Sequence, residues 1–323
     1  MPCNISHIQG SPDSRQVALD CNDGTVRVWS RDTGAVTRVH EHVGQAFGIA
    51  WVNGAICSGG FQDGRVLCSK PDGSDLRTLE SGSNRITWLT AGPAHDFLVF
   101  ASADGRIWRY DGNQLEQFHK HATAYRLAIS NDGRLLGSCG LDGTLSVYDL
   151  VDHREIGNRP DHTGSAYNIA WVDDELWTSG DDGLIKQWVV RDGALTSRRT
   201  LKAPASMHLM RAGHGGWAGS GGESTLVVGR DGQSMALHLD LGRPIVAIDV
   251  SPDQRYVAAA VNGEIVIIDL QRDAIATMTV GTPRPQKLSF LDSTSLAFSE
   301  AGALKSVVVD HLDYVQFQAT TEP

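Results

Sequence analysis

Along this chain, short apolar runs alternate with clusters of Asp, Asn, Gly and Ser, and no run of ten or more residues shows helical periodicity. Between residues 124 and 157 the runs are Ala124–Ser130, Leu135–Cys139, Thr144–Leu150 and Arg154–Gly157. Asn131-Asp132-Gly133, Asp142-Gly143 and Asp152-His153 separate them. Asn, Asp and Gly tolerate the positive φ that tight hairpin turns demand, so this stretch predicts four antiparallel strands joined by hairpins. First runs such as Phe47-Gly48-Ile49-Ala50-Trp51-Val52 and Tyr167-Asn168-Ile169-Ala170-Trp171-Val172 are almost wholly apolar or small. A strand covered on both faces reads like that. Third runs alternate (Val26, Val28; Leu145, Val147), as half-buried strands should.

The same unit recurs. Its clearest third runs open at Asp23-Gly24, Asp142-Gly143 and Asp182-Gly183, with weaker copies at Asp63-Gly64, Asp104-Gly105, Asn262-Gly263, Ala301-Gly302 and Glu223-Ser224. The second residues of these pairs lie 38 to 41 positions apart through the chain. A period near forty with short strands predicts a β-propeller, in which each unit shares its core with its neighbours. The chain opens on a first-type strand (Asn4–Gln9) and closes on what reads as a fourth-type strand (Tyr314–Gln318). The expectation is an all-β fold of eight four-stranded blades in one domain, 1–323. The ring then closes by packing of the terminal units, not by strands shared from both chain ends. Seven blades plus a displaced terminal unit is the alternative.

At these residues the chain resembles the WD40-repeat family over essentially its whole length. That family often ends its third strand in Trp-Asp; here the corresponding pairs are Tyr110-Asp111, Tyr148-Asp149 and Ile268-Asp269, while Trp29-Ser30 and Trp188-Val189 keep only the Trp. The resemblance implies a bonded set of four in the best blades: His before the first strand, Ser or Thr on the second, the turn Asp, and the Trp. The fifth unit matches with His162, Thr178, Asp182 and Trp188; the fourth with His121, Ser138 and Asp142, with Tyr148 in the Trp place. The second has His42, Ser58 and Asp63, but Ser69 where the aromatic belongs. The sixth to eighth units lack the set. The resemblance further implies a scaffold, or a sensor module joined to an effector, and the start on a first-type strand suits a module cut from a longer protein.

The same recurrence disarms apparent active sites. Ser, His and Asp at one repeat position are scaffold bonds before they are a catalytic triad. The pairs His40/His42 and His119/His121 share a strand face and could ligate a metal, but they recur in register without a third ligand. Ala218-Gly219-Ser220-Gly221-Gly222 needs a strand-to-helix turn to be a nucleophile elbow, and strand follows strand here. The expectation is a non-enzyme with no cofactor and no metal.

Charge adds two exclusions. With 28 basic against 38 acidic residues the net charge is −10 and no basic block occurs, which argues against nucleic acid or an anionic membrane as partner. Six Lys against twenty-two Arg points to a GC-rich, bacterial gene. The five cysteines are odd in number and scattered, so no disulfide framework or zinc knuckle is expected, and with no signal peptide the predicted placement is cytoplasmic.

Binding is expected where the first strands begin, on one rim around the central opening. Phe47, Tyr125 and Tyr167 occupy those starts, with Arg126 and Asn168 beside them, Arg85 (and Asn84) in the third unit, and Met207 and His208 at the fifth-to-sixth junction. Aromatics interspersed with Arg have the composition of a protein or peptide hot spot. Either they form a partner surface, or they plug the narrow end of the channel. Trp51, Trp88 and Trp171 are expected in the core. The rival reading is an enzyme, or a small-molecule or metal site, in the channel.

Overall fold

The Asp-Gly turns close their hairpins with the Asp side chain. Asp23 Oδ1 accepts the backbone N–H of Thr25 at 3.0 Å and its hydroxyl at 2.7 Å, and Asp142 does the same for Thr144 at 3.0 and 2.6 Å. The following glycine takes φ of +85° at Gly24 and +78° at Gly143, a left-handed conformation other residues adopt at a cost. The computed structural model describes residues 4–80, 82, 85–121, 123–203, 207–213, 216–221, 224–230, 235–280, 287–300 and 303–316. Among them the hairpins assemble into eight antiparallel sheets, the blades of a β-propeller.

Six blades have four strands in chain order. The first strands, innermost in the ring, are Ile5–Gly10, Ala46–Val52, Ile86–Ala91, Ala124–Ile129, Ala166–Val172, Met207–Gly213, Ala247–Val250 and Leu288–Phe290. A separate buried apolar cluster fills each junction between neighbours. Blade seven shows why the inner runs are apolar throughout. Its second strand sends Val257 and Ala259 toward blade six, and Tyr256 and Ala258 toward blade eight. Both faces of a pleated strand are therefore core.

The ring closes by packing of blade eight on blade one: Leu291 and Ala297 pack on Ile5, Val17, Leu19 and Cys21. Arg31 adds a bond to Asp292 at 3.1 Å and to the Ser295 hydroxyl at 2.8 Å. The eight-blade expectation holds, and seven is excluded.

Two expectations are corrected. The terminal run does not complete blade eight, which has three strands among the described residues; Val315–Gln316 instead pairs with Ile275 and Ala274, as a fifth strand on blade seven. A 3-10 turn at Val309–His311 diverts the chain, with Val309 buried in the junction of blades seven and eight. Tyr314 then packs on Tyr256, their ring centroids 6.3 Å apart, and the Tyr256 hydroxyl bonds Asp310.

The second correction concerns cysteine. Cys57 and Cys68 form a disulfide, and Cys21 is also disulfide-bonded. Cys57 and Cys68 lie directly opposite each other on the second and third strands of blade two, with Cα atoms 4.1 Å apart. Their even spacing about the Gln62-Asp63 turn was the available signal; it belongs to hairpin register, not to a local Cys motif. Disulfides persist in oxidising compartments, so the cysteines lend no support to the cytoplasmic expectation.

Candidate recognition face and central channel

In six of the first strands, pairing with the second strand slips at one common place. The slip leaves Ser6, Phe47 with Gly48, Thr87, Tyr125, Tyr167 and His208 out of the ladder. A bulge of this kind re-aims the extra residue at the rim of a sheet. The sequence-predicted Phe47, Tyr125, Tyr167 and His208 are thus one structural position in four blades. The side chain of His208, and Asn84 altogether, lie outside the described residues.

Phe47 is half-buried and sits edge-on to His7 (centroids 5.4 Å) and Trp88 (6.3 Å) and tilted against Phe61 (5.5 Å). The exposed Arg85 lies 5.2 Å over the Phe61 ring. Tyr125 and Tyr167 form a second edge-to-face pair at 6.1 Å. Arg126 joins the two groups, its guanidinium 3.7 Å from the Trp88 centroid and 5.3 Å from that of Tyr125. Asn168 is buried and spends its amide on the Ser179 hydroxyl and the Met207 carbonyl, both at 3.2 Å, so it braces blades five and six.

Below this face lies the channel, a cavity of about 400 Å³ walled by first strands from all eight blades. Trp51 and Trp171 are core residues whose indole N–H groups reach the Gln9 and Ala128 carbonyls of the preceding blades at 3.2 Å. Trp88 differs in being half-buried; it lines the cavity, as an edge of Trp171 also does. Arg211 and Asp249 line it too, and neither was singled out from sequence. A carboxylate inside an apolar run was the usable signal, in Ala247-Ile248-Asp249-Val250 as in Val17-Ala18-Leu19-Asp20. Asp20 is fully buried and accepts from Gly48 N–H at 3.0 Å and from His7 at 2.8 Å. Asp249 accepts from Phe290 N–H at 2.8 Å, and burial holds its carboxyl above the usual range despite Arg211.

The bonded sets take three forms. In blade five Trp188 donates to Thr178 (3.4 Å), His162 bonds Thr178 (3.0 Å) and Asp182 (2.8 Å), and the Thr178 hydroxyl donates to Asp161 (2.6 Å). Burial pulls the His162 imidazole down, but Asp161 and Asp182 together hold it above its ordinary pKa. In blade four His121 bonds Ser138 (2.6 Å) and Thr144, and Thr144 hands on to Asp142 at 2.6 Å. The Tyr148 ring lies 3.7 Å from that of His119, which accounts for one His-x-His pair. In blade two His42 bonds Ser58 (2.9 Å) and Asp63 (3.1 Å). Ser69 is too short to replace an aromatic, and His40 fills the gap, bonding Ser58 at 2.7 Å and Ser69 at 2.9 Å. Among the described residues, no group of three His, Cys, Asp or Glu could hold a metal.

His40 carries a pH prediction. Burial, then repulsion from His42, lowers its pKa to about 3 from an ordinary 6.5. Folded protein thus keeps it neutral while unfolded chain protonates first, so its contribution is present above pH 6.5 and lost as pH falls toward 3. The slope reaches roughly 1.4 kcal/mol per pH unit. Burial lowers His42 and His121 in the same direction. Urea midpoints measured from pH 7 to 4 should fall less steeply for His40→Gln than for wild type; parallel curves would contradict this assignment.

A family model described as WD domain, G-beta repeat (WD40) matches residues 112–149. Protein groucho of Drosophila melanogaster is 31% identical over 125 residues, covering 38% of this chain and only 15% of that protein. Of solved structures, the computationally designed Ika8 protein superposes with a TM-score of 0.80 at 19% identity, covering 95% of this chain and 97% of its own. The β-propeller domain of Myceliophteria thermophila Cps50 (Swd1) gives 0.65 at 14% identity, covering 96% and 98%. At such identities the two structures show a shared fold. WD40 propellers are typically protein-interaction scaffolds. With bonded His-Thr-Asp-Trp chemistry in blade five and a closed ring of eight sheets, the chain is a β-propeller that carries a WD40 repeat at residues 112–149.

Proposed function

We propose that this propeller is a non-catalytic recognition module, acting as a scaffold or as the sensor part of a larger effector, that binds a protein or peptide on the face bearing Phe47, Arg85, Tyr125, Arg126 and Tyr167. The bulge carries this reading. One backbone device, repeated from blade to blade, presents aromatic side chains at the same end of the ring, where they remain half-buried instead of entering a junction. Half-buried aromatics beside arginines supply large contact area at small ordering cost. Val43 and Leu141 add exposed apolar surface in the loops at that end.

The test compares wild type with a Phe47→Ala, Tyr125→Ala, Tyr167→Ala triple variant of matched thermal stability in affinity capture from native lysate. Loss of a specific captured protein in the variant alone is expected. Equal capture by both would move the partner to a side face and sink this assignment.

A further inference from the structure

Arg126 is the least satisfied charge among the described residues of the channel region. Its Nε and Nη1 are buried with no hydrogen-bond partner, while its flat face rests on Trp88 at 3.7 Å. The residue as a whole is half-buried, but burying two guanidinium donors unpaired is costly, and a cation–π contact offsets only part of that cost. Burial, then the nearby Arg211, draws its pKa down to about 10. Lys287, just before the first strand of blade eight, is lowered by burial and by the charges of Arg211 and Arg126. These three cations, from blades four, six and eight, therefore repel one another; Arg211 lines the cavity, Arg126 rests on its lining residue Trp88, and Lys287 lies two residues before its lining residue Ser289.

The acids nearby do not answer this. Asp20 is committed through Oδ2 to His7 and Gly48, and its Oδ1 is itself without a partner. Asp249 is turned to the Phe290 amide and faces Arg211. Two carboxylates stand against three cations: Asp249 faces Arg211 and the charge of Asp20 acts on Lys287, which leaves Arg126 without one. The cavity beside it, about 400 Å³, has room for a compact oxyanion.

We propose that the channel is an anion site in which Arg126, stacked on Trp88, together with Arg211 and Lys287, receives a single phosphate or carboxylate group. The group is either a free small anion or an acidic side chain lowered into the channel by a peptide lying on the face. Only the second source rests on the recognition reading. Guanidinium suits either oxyanion because its planar donors match theirs.

Calorimetric titration with inorganic phosphate, with acetate, and with a glycine-flanked phosphoserine peptide and its unphosphorylated twin tests this. Wild type is expected to bind phosphate or acetate saturably, and Arg126→Met and Arg211→Gln to weaken that binding at least tenfold. Arg126→Met, which keeps the stack and discards the charge, is also expected to melt no lower than wild type without anion. Phosphate and phosphopeptide of equal affinity would identify a free anion as the ligand. A phosphopeptide at least tenfold tighter, losing that advantage in the Phe47/Tyr125/Tyr167 triple variant, would identify the peptide source. Absence of saturable binding by wild type to any probe overturns the proposal. So does unchanged affinity in both single variants, or a clearly lower melting temperature for Arg126→Met, which would make Arg126 a structural strut. Phosphate binding without any peptide binding would leave the channel site standing while the recognition reading fails.

Discussion

Replacing His162 with alanine is expected to destabilise the protein by about 3–5 kcal/mol, the range for removing one partner from a buried charged network. The imidazole is buried, and its ring nitrogens bond Asp182 at 2.8 Å and Thr178 at 3.0 Å, with Asp161 at 3.2 Å. Its removal leaves Asp161, fully buried as a side chain, with Lys186 at 3.1 Å and the Thr178 hydroxyl as its remaining partners. The counterpart in blade four is weaker: His121 bonds two hydroxyls, Ser138 and Thr144, and no carboxylate directly. His121→Ala should therefore cost nearer 1–3 kcal/mol, the desolvation of neutral orphans. Urea denaturation at pH 6 checks the order, and an equal or larger loss at His121 would refute the role given to the two acids. The pH dependence supplies a second readout. The pKa of His162 is raised on folding, so its stabilisation is complete below 6.5 and disappears as pH rises through the folded value. The gap between wild type and His162→Gln should accordingly narrow in alkaline buffer, opposite to the trend for His40.

The second large effect is expected at Gly143. A Cβ there would lie 2.2 Å from the His162 carbonyl oxygen and 2.4 Å from that of Gly164, at a φ of +78°. Both obstacles are backbone and cannot rotate away. Left-handed strain of about 1–2 kcal/mol and overpacking of about 1–3 kcal/mol together put Gly143→Ala at roughly 2–5 kcal/mol. Gly34 is the control, with φ +69° and nothing within 4 Å of an added Cβ. Gly34→Ala should show the backbone strain alone, about 1–2 kcal/mol. Matching losses at the two glycines would show that the close approach at Gly143 is irrelevant. The loop that Gly143 holds begins with Asp161 and His162, whose N–H groups both donate to its carbonyl at 2.9 Å. Gly143→Ala and His162→Ala act on one loop, and the double variant should cost less than the sum of the two.

Gly143 also marks how far the sequence could be read. That Asp142-Gly143 is a hairpin turn follows from two residues and their φ preferences. That the turn supports the next blade's histidine loop follows from nothing nearer than eighteen residues away. The same division runs through the candidate site. Phe47, Tyr125 and Tyr167 were legible as one repeat position because the period aligns them. The bulge that makes the position special is a difference in pairing between two strands, and it leaves no mark in either strand alone. Asn168 read equally well as a rim residue, yet its amide meets Ser179 and Met207 from two different blades. Trp88 read as core like Trp51 and Trp171, yet it is half-buried under the Arg126 guanidinium while the other two are buried.

What the sequence determined by itself was therefore the blade: turn chemistry at Asp and Gly, apolar inner strands, alternating third strands, and a forty-residue period that counts eight units. These are short-range properties, set by φ preferences and by which faces of a strand are covered. Only the tertiary structure decided the pairing of Cys57 with Cys68, the substitution of His40 for a missing aromatic, the transfer of Val315–Gln316 to blade seven, and the isolation of Arg126 above Trp88. Each of these depends on distances across strands or between blades. A window of sequence contains the groups, but the ring sets how near they come and how much water is left between them.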